Sequence, residues 1–190
     1  YNDLEGLHKI VIEHGNDLAA IILEPSRSEL PNKDFLNNVK DVADSSSGVL
    51  IFDEITSAFR INTGGIHLTV DICPDIAVFA KALGNGYPIS AVIGKREIME
   101  AAQNTFISST MWTERIGPAA AIAMIDKHKK QDIAKKLIST GLSVKNIWQN
   151  AANEANLDIS IKGIDPLATL SFSGVSGTAL MTLFTQEMLD

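Results

Sequence analysis

The sequence predicts an α/β fold: a mixed, mainly parallel sheet flanked by helices, followed by the start of a small α+β C-terminal unit. Three observations predict it. Continuous apolar runs at residues 18–23, 49–52 and 76–80 have the length and composition of strands buried in a parallel sheet. Segments with apolar residues at helical spacing lie around them. Each run ends on a polar group, namely Glu24, Asp53-Glu54 and Lys81. Ligands of open α/β sheets sit at the carboxyl ends of strands, so these three polar ends are where a site is expected.

Taken in order, Leu4, Leu7, Ile10 and Val11 mark a first helix, which Gly15-Asn16-Asp17 stops. The first strand ends at Glu24-Pro25. Pro31-Asn32 opens a second helix with Phe35, Leu36, Val39 and Val42 on one face, and Ser45-Ser46-Ser47-Gly48 closes it. The second strand leads into Asp53-Glu54. Residues 55–74 lack periodicity, and a loop of that length inside a domain is usually functional. Lys81 follows the third strand directly, and Gly84 and Gly86 let the chain turn tightly after it. The link to a fourth strand at 89–93 is too short for a helical crossover, so that strand runs antiparallel to the third. A short helix at 96–103 and a polar loop at 106–114 precede two long helices, 117–130 and 132–153. Alanines in the first of these suggest close packing. Residues 1–153 form the larger unit; 154–190 begin the smaller one, with strands near 157–161 and 168–172 and a helix from Gly177.

Charge and composition exclude several classes. A formal charge of −7 with no basic block argues against nucleic acid or an anionic membrane as partner. The lysines near His128-Lys129-Lys130 and Lys135-Lys136 read as a solvated helix face. The lone Cys73 points to a reducing, cytoplasmic compartment and reads as a small, at least half-buried residue, not a nucleophile. The four histidines lack metal-ligand spacing, so no metal is expected. No apolar run is long enough to span a bilayer, and the N-terminus has neither a signal-peptide pattern nor an initiator methionine.

The chemistry is carried by Asp53 and Lys81, each at a strand end. If the strands are neighbours, the two side chains face one pocket. A desolvated lysine amine attacks carbonyls, and a carboxylate across the pocket holds a pyridinium nitrogen protonated. Position alone equally allows a buried ion pair, or a lysine that reaches solvent.

Local sequence narrows the choice. Residues 50–60, Leu50-Ile51-Phe52-Asp53-Glu54-Ile55-Thr56-Ser57-Ala58-Phe59-Arg60, resemble the strand and loop of class III aminotransferases. Residues 74–89, with Ala80-Lys81-Ala82-Leu83-Gly84-Asn85-Gly86-Tyr87-Pro88, resemble the lysine segment of the same family, and Ile22-Leu23-Glu24-Pro25 fits an earlier strand end. Phe59-Arg60 is most similar to the glutamate-1-semialdehyde aminomutase branch. The resemblance implies the major domain of a fold type I transferase dependent on pyridoxal 5′-phosphate (PLP), incomplete here. Its activity would be amino-group transfer or 1,2-aminomutation between a small-molecule amino donor and a carbonyl acceptor. Lys81 would bond the cofactor as a Schiff base and shuttle a proton. Asp53 would pair with the ring nitrogen, and Ile55 would pack on the ring. Ser109 and Thr110 would bind the phosphate across a homodimer interface. Glu24 would orient nearby groups, and Arg60 is either a substrate-carboxylate ligand or a surface residue.

Departures from the family matter too. Trp112-Thr113-Glu114-Arg115-Ile116 replaces the usual short link after the serine-threonine pair. The glycine-serine phosphate loop expected well upstream of Leu18 has no counterpart, and the C-terminal unit is short. The alternative is therefore a catalytically incomplete fragment, or a non-catalytic module of the same fold acting through dimerisation or partner binding. A nucleotide-binding domain built on Gly84-Asn85-Gly86 fits poorly, because a strand follows where that fingerprint needs a helix.

Overall fold

The computed structural model describes residues 1–26, 30–32, 34–174 and 176–189. Helix α1 (Leu4–His14) starts at Asp3, whose carboxylate accepts the Gly6 amide at 2.8 Å. Strand β1 (Ala20–Leu23) leads to helix α2 (Phe35–Ser45), and β2 (Val49–Asp53) follows. The short helix α3 (His67–Val70) lies inside the long loop, before β3 (Ile76–Phe79) and β4 (Ala91–Gly94). The sheet order is β1-β2-β3-β4, with β1, β2 and β3 parallel and β4 antiparallel to β3. The mixed, mainly parallel sheet expected from the apolar runs is therefore present.

Helix α2 buries the face that its sequence pattern marks. Phe35, Leu36, Val39 and Ala43 pack with Leu50 and Phe52 of β2 and with Ile72. Burial of each large apolar side chain stabilises by about 1.5–3 kcal/mol, and Leu50 and Phe52 of β2 are fully buried. Strand β1 differs from expectation. It reads as buried on both faces, yet it sits at the sheet edge with Ile22 65% exposed. An apolar run reports a strand, not which neighbours cover it. Helix α2 also starts later than Pro31-Asn32 suggests, with the Phe35 amide bonded to the Asn32 carbonyl at 3.0 Å.

Asp75, just before β3, ties three strands together. Its Oδ2 accepts the Leu50 amide at 2.7 Å, and its Oδ1 pairs with Lys95 Nζ at 2.7 Å. Burial pushes the Asp75 carboxyl up, but the Lys95 and Leu50 hydrogen bonds outweigh it and hold the group below its ordinary value. The same hydrogen bond holds Lys95 above its ordinary value.

Beyond β4, helix α4 (Arg96–Met99) continues as a 3-10 turn over Glu100–Asn104, where a single short helix is expected. Helices α5 (Ile116–Lys130) and α6 (Ile133–Glu154) follow. The close packing expected of α5 is limited to Gly117, Ala121 and His128, while Ile116 and Ile122 stay exposed. Helix α6 lies against the turn Asp165–Leu167. A methyl group at Gly141 would strike the Asp165 carbonyl, and Lys145 pairs with Asp165 at 2.9 Å. Strands β5 (Ile159–Lys162) and β6 (Thr169–Phe172) form an antiparallel pair, and helix α7 (Gly177–Glu187) packs on β6. Cys73 is exposed, not the half-buried or buried residue its composition suggests, because it lies in the bend between α3 and β3.

Candidate active site

Strands β2 and β3 end side by side, with Asp53 opposite Val78 and the Glu54 amide bonded to the Val78 carbonyl at 2.9 Å. Parallel pairing thus brings the two polar strand ends to one edge of the sheet. Asp53 is half-buried, and its Oδ1 accepts the Ile55 amide at 3.0 Å, the short side-chain-to-backbone closure that begins a turn. Oδ2 of Asp53 makes no hydrogen bond among the described residues. One residue beyond Ile55, the Thr56 hydroxyl receives a hydrogen bond from Lys81 Nζ at 2.7 Å. Asp53 and Lys81 therefore do not form the buried ion pair that position alone allows; they are linked through the turn and Thr56. Lys81 is exposed in this chain, so the desolvation invoked for its amine is not supplied by the residues around it here.

The backbone at Lys81 is unusual. Its φ is +45°, the left-handed region that non-glycine residues seldom occupy. Its carbonyl accepts amides from Gly84 at 3.2 Å and Asn85 at 3.1 Å. Gly84 is needed for close approach, since a methyl group there would strike the Tyr87 carbonyl, and Gly86 has φ +105°. The glycines thus serve the tight turn for which the sequence marks them.

The loop after β2 is held by Glu54, which the sequence marks only as a polar strand end, and by His67 and His128, to which the sequence assigns no role. Glu54 is fully buried and accepts four hydrogen bonds: Ser57 Oγ at 2.6 Å, the amides of Ile66 at 2.9 Å and His67 at 3.0 Å, and His67 Nδ1 at 2.8 Å. An ionised carboxylate only accepts, so this donor set matches its capacity. On the far side, buried His128 of α5 joins Phe59 and Thr63. Its Nε2 lies 3.1 Å from the Phe59 carbonyl and its Nδ1 2.8 Å from Thr63 Oγ1. A carbonyl cannot donate, so Nε2 carries a hydrogen and donates it to the Phe59 carbonyl. His128 is therefore no member of a solvated face, although the lysines beside it are exposed. Phe59, at φ +59°, and Arg60, whose Nε donates to the Thr56 carbonyl at 3.2 Å, complete the turn.

The other expected site residues stand apart. Ser109 and Thr110 lie in an exposed loop with no side-chain hydrogen bond among the described residues, next to Met111 and Trp112 at 72% and 65% exposure. Glu24 is half-buried just past β1. Among the described residues no group of three or more histidine, cysteine or acidic residues could hold a metal ion, and no helix is long and apolar enough to cross a membrane.

Residues 2–163 match the family model described as Aminotransferase class-III. The chain is 31% identical over 179 residues to 3-aminobutyryl-CoA aminotransferase of Cloacimonas acidaminovorans, with 90% of this chain and 43% of that protein covered. It is 32% identical over 179 residues to glutamate-1-semialdehyde 2,1-aminomutase of Methanosarcina acetivorans, covering 90% and 42%. Among solved structures, the FumI protein of Sphingopyxis sp. MTA144, in its PLP internal aldimine form, superposes with a TM-score of 0.86 at 24% identity, covering 91% of this chain and 43% of that one. An omega-transaminase from Sphaerobacter thermophilus gives a TM-score of 0.78 at 22% identity, covering 87% and 40%. These two structures speak for the fold. The chain spans about two fifths of the length of the relatives it matches.

Proposed function

Because the chain belongs to the class-III aminotransferase family, we propose that it serves PLP-dependent amino-group transfer, as an aminotransferase or as a 1,2-aminomutase of the glutamate-1-semialdehyde type. The observation that carries the reading is the meeting of Lys81 and the Asp53 turn at adjacent strand ends, joined by Thr56. The donor set fits this cofactor: a primary amine for its carbonyl carbon, and a carboxylate oxygen without another partner for its ring N–H. When bound, the cofactor withdraws electrons from the α-carbon of an amino substrate.

The residues supply the rest. Lys81 would hold the cofactor and then move a proton to and from the substrate carbon with the same Nζ. Asp53 would keep the ring nitrogen protonated, and Ile55, two residues on, would pack against the ring. The exposed Ser109 and Thr110 suit a role in a second subunit, where they would bind the cofactor phosphate of a homodimer. Their loop carries Phe106 at 96% exposure together with Met111 and Trp112, an apolar surface that a partner subunit would cover. The substrates would be a small-molecule amino donor and a carbonyl acceptor, and the setting cytoplasmic.

The test is an absorbance spectrum of the purified chain with added PLP, then borohydride reduction and mapping of the labelled peptide. A visible-edge band and a label on Lys81 support the reading. A label on another lysine, or none, overturns it for this chain.

A further inference from the structure

Two hydroxyls follow Asp53 in the turn, and they are committed differently. Ser57, fully buried, donates a hydrogen bond to Glu54 at 2.6 Å. Thr56, half-buried, faces Lys81 Nζ at 2.7 Å. Thr56 is itself anchored at both ends. Its turn begins with the Asp53–Ile55 bond at 3.0 Å, and its carbonyl accepts Arg60 Nε at 3.2 Å. As a β-branched residue it has a stiff χ1, so its hydroxyl is presented in a fixed direction.

We propose that Thr56 is the positioning residue of Lys81, a role that rests on the cofactor-bonding function given to Lys81 above. The lysine side chain is long and exposed, and free it samples many rotamers at a cost that attachment must offset. One hydrogen bond from a rigid turn removes most of that freedom. The hydroxyl also suits either protonation state of the nitrogen: it accepts from the ammonium and donates to the lone pair of the neutral amine. Because Thr56 is three residues beyond Asp53, the same turn sets the distance between the amine and the carboxylate. Attachment joins Nζ to an aldehyde carbon, and two amine hydrogens leave with the aldehyde oxygen as water, so the amine must be neutral and aimed.

The test compares wild type, Thr56→Val and Thr56→Ser in the 190-residue chain, using two electrophiles on Lys81. Acetic anhydride needs no particular approach and no cofactor site. PLP followed by borohydride trapping needs the amine held in place. With the hydrogen bond gone, Thr56→Val acetylates Lys81 about 2- to 10-fold faster and attaches PLP slower by a similar factor, the size expected for one hydrogen bond. Thr56→Ser restores both rates. Both rates moving together, or neither moving, overturns the proposal. Should Thr56→Val not fold, Thr56→Ala replaces it under the same criteria. If wild type attaches no PLP at Lys81, the function proposed above fails, whereas unchanged acetylation across the variants identifies a failure of Thr56 alone.

Discussion

Glu54 Oε1 lies 2.8 Å from Nδ1 of His67, thirteen residues further along the chain, and the same oxygen accepts the His67 amide at 3.0 Å. This pair closes the loop that carries Thr56, Phe59 and Arg60 beside the candidate amine. Gly65 permits it, since a methyl group there would fall on both the His67 ring and Glu54 Oε1.

Replacing Glu54 by Gln turns two acceptor positions into one acceptor and one donor group, facing donors. The expected cost is about 1–3 kcal/mol for buried donors left unpaired. Urea denaturation read by circular dichroism would show a lower midpoint with an unchanged slope. An unchanged midpoint would mean that the loop is not held this way.

Lys81→Ala leaves the fold in place. The side chain is exposed and gives up one hydrogen bond, so the stability change stays within about 0.5 kcal/mol. Covalent PLP labelling disappears. A variant that still incorporates PLP after borohydride would move the nucleophile to another lysine.

Asp53→Asn separates structure from chemistry at one atom. The amide oxygen keeps the Ile55 bond, but the charge that would face the cofactor nitrogen is lost. Melting temperature is expected to hold, while PLP affinity falls about 10- to 100-fold, the worth of a hydrogen bond to a charged group. Equal affinity for both proteins would remove Asp53 from the cofactor site.

Asp75 and Lys95 set an acid limb. The folded Asp75 carboxyl titrates below its ordinary 3.8, so its contribution is present above that value and is lost as pH falls through the lower, folded one. Lys95 is shifted upward from 10.5, so its contribution is complete below that value and is lost only as pH rises beyond it. Lys95→Met leaves burial to push Asp75 up against only the Leu50 amide and the charge of Lys40. The acid limb of melting temperature against pH then moves to higher pH; an unmoved limb would remove the pair from the acid response.

Gly84→Ala puts a methyl group against the Tyr87 carbonyl in the turn after Lys81. Overpacking of this kind costs about 1–3 kcal/mol, and the shift falls on the segment that presents the amine. Thermal melts with PLP-labelling rates check it: both are expected to drop, and a stable variant that labels normally contradicts the close approach.

The strand ends and the parallel pairing are legible in the sequence because apolar runs and turn residues report them locally. Lys81 and Asp53 stand out because each ends such a run. Thr56, Glu54, His67 and His128 do not stand out. A partner thirteen residues away, or one on another helix, leaves no period and no spacing to read. Only the polar pair Asp53-Glu54 hints that the second carboxylate has a use. The exposure of β1 and Cys73 is equally silent, because a side chain's type states what it could bury against and not what covers it.

The antiparallel placement of β4 bears on how the molecule assembles in time. Phe79 pairs with Ala91 only 12 residues on, whereas Asp53 meets Val78 25 residues on and Ala20 meets Val49 29 residues on. Closing a short loop loses less chain entropy, so β3 and β4 are expected to pair first and β2 to dock on them later. On that order Lys81 is expected to gain its local geometry early in refolding, and its link to Thr56 to form only when the parallel ladder arrives. In stopped-flow refolding, reporters placed at β3–β4 would precede any signal from the Lys81–Thr56 contact.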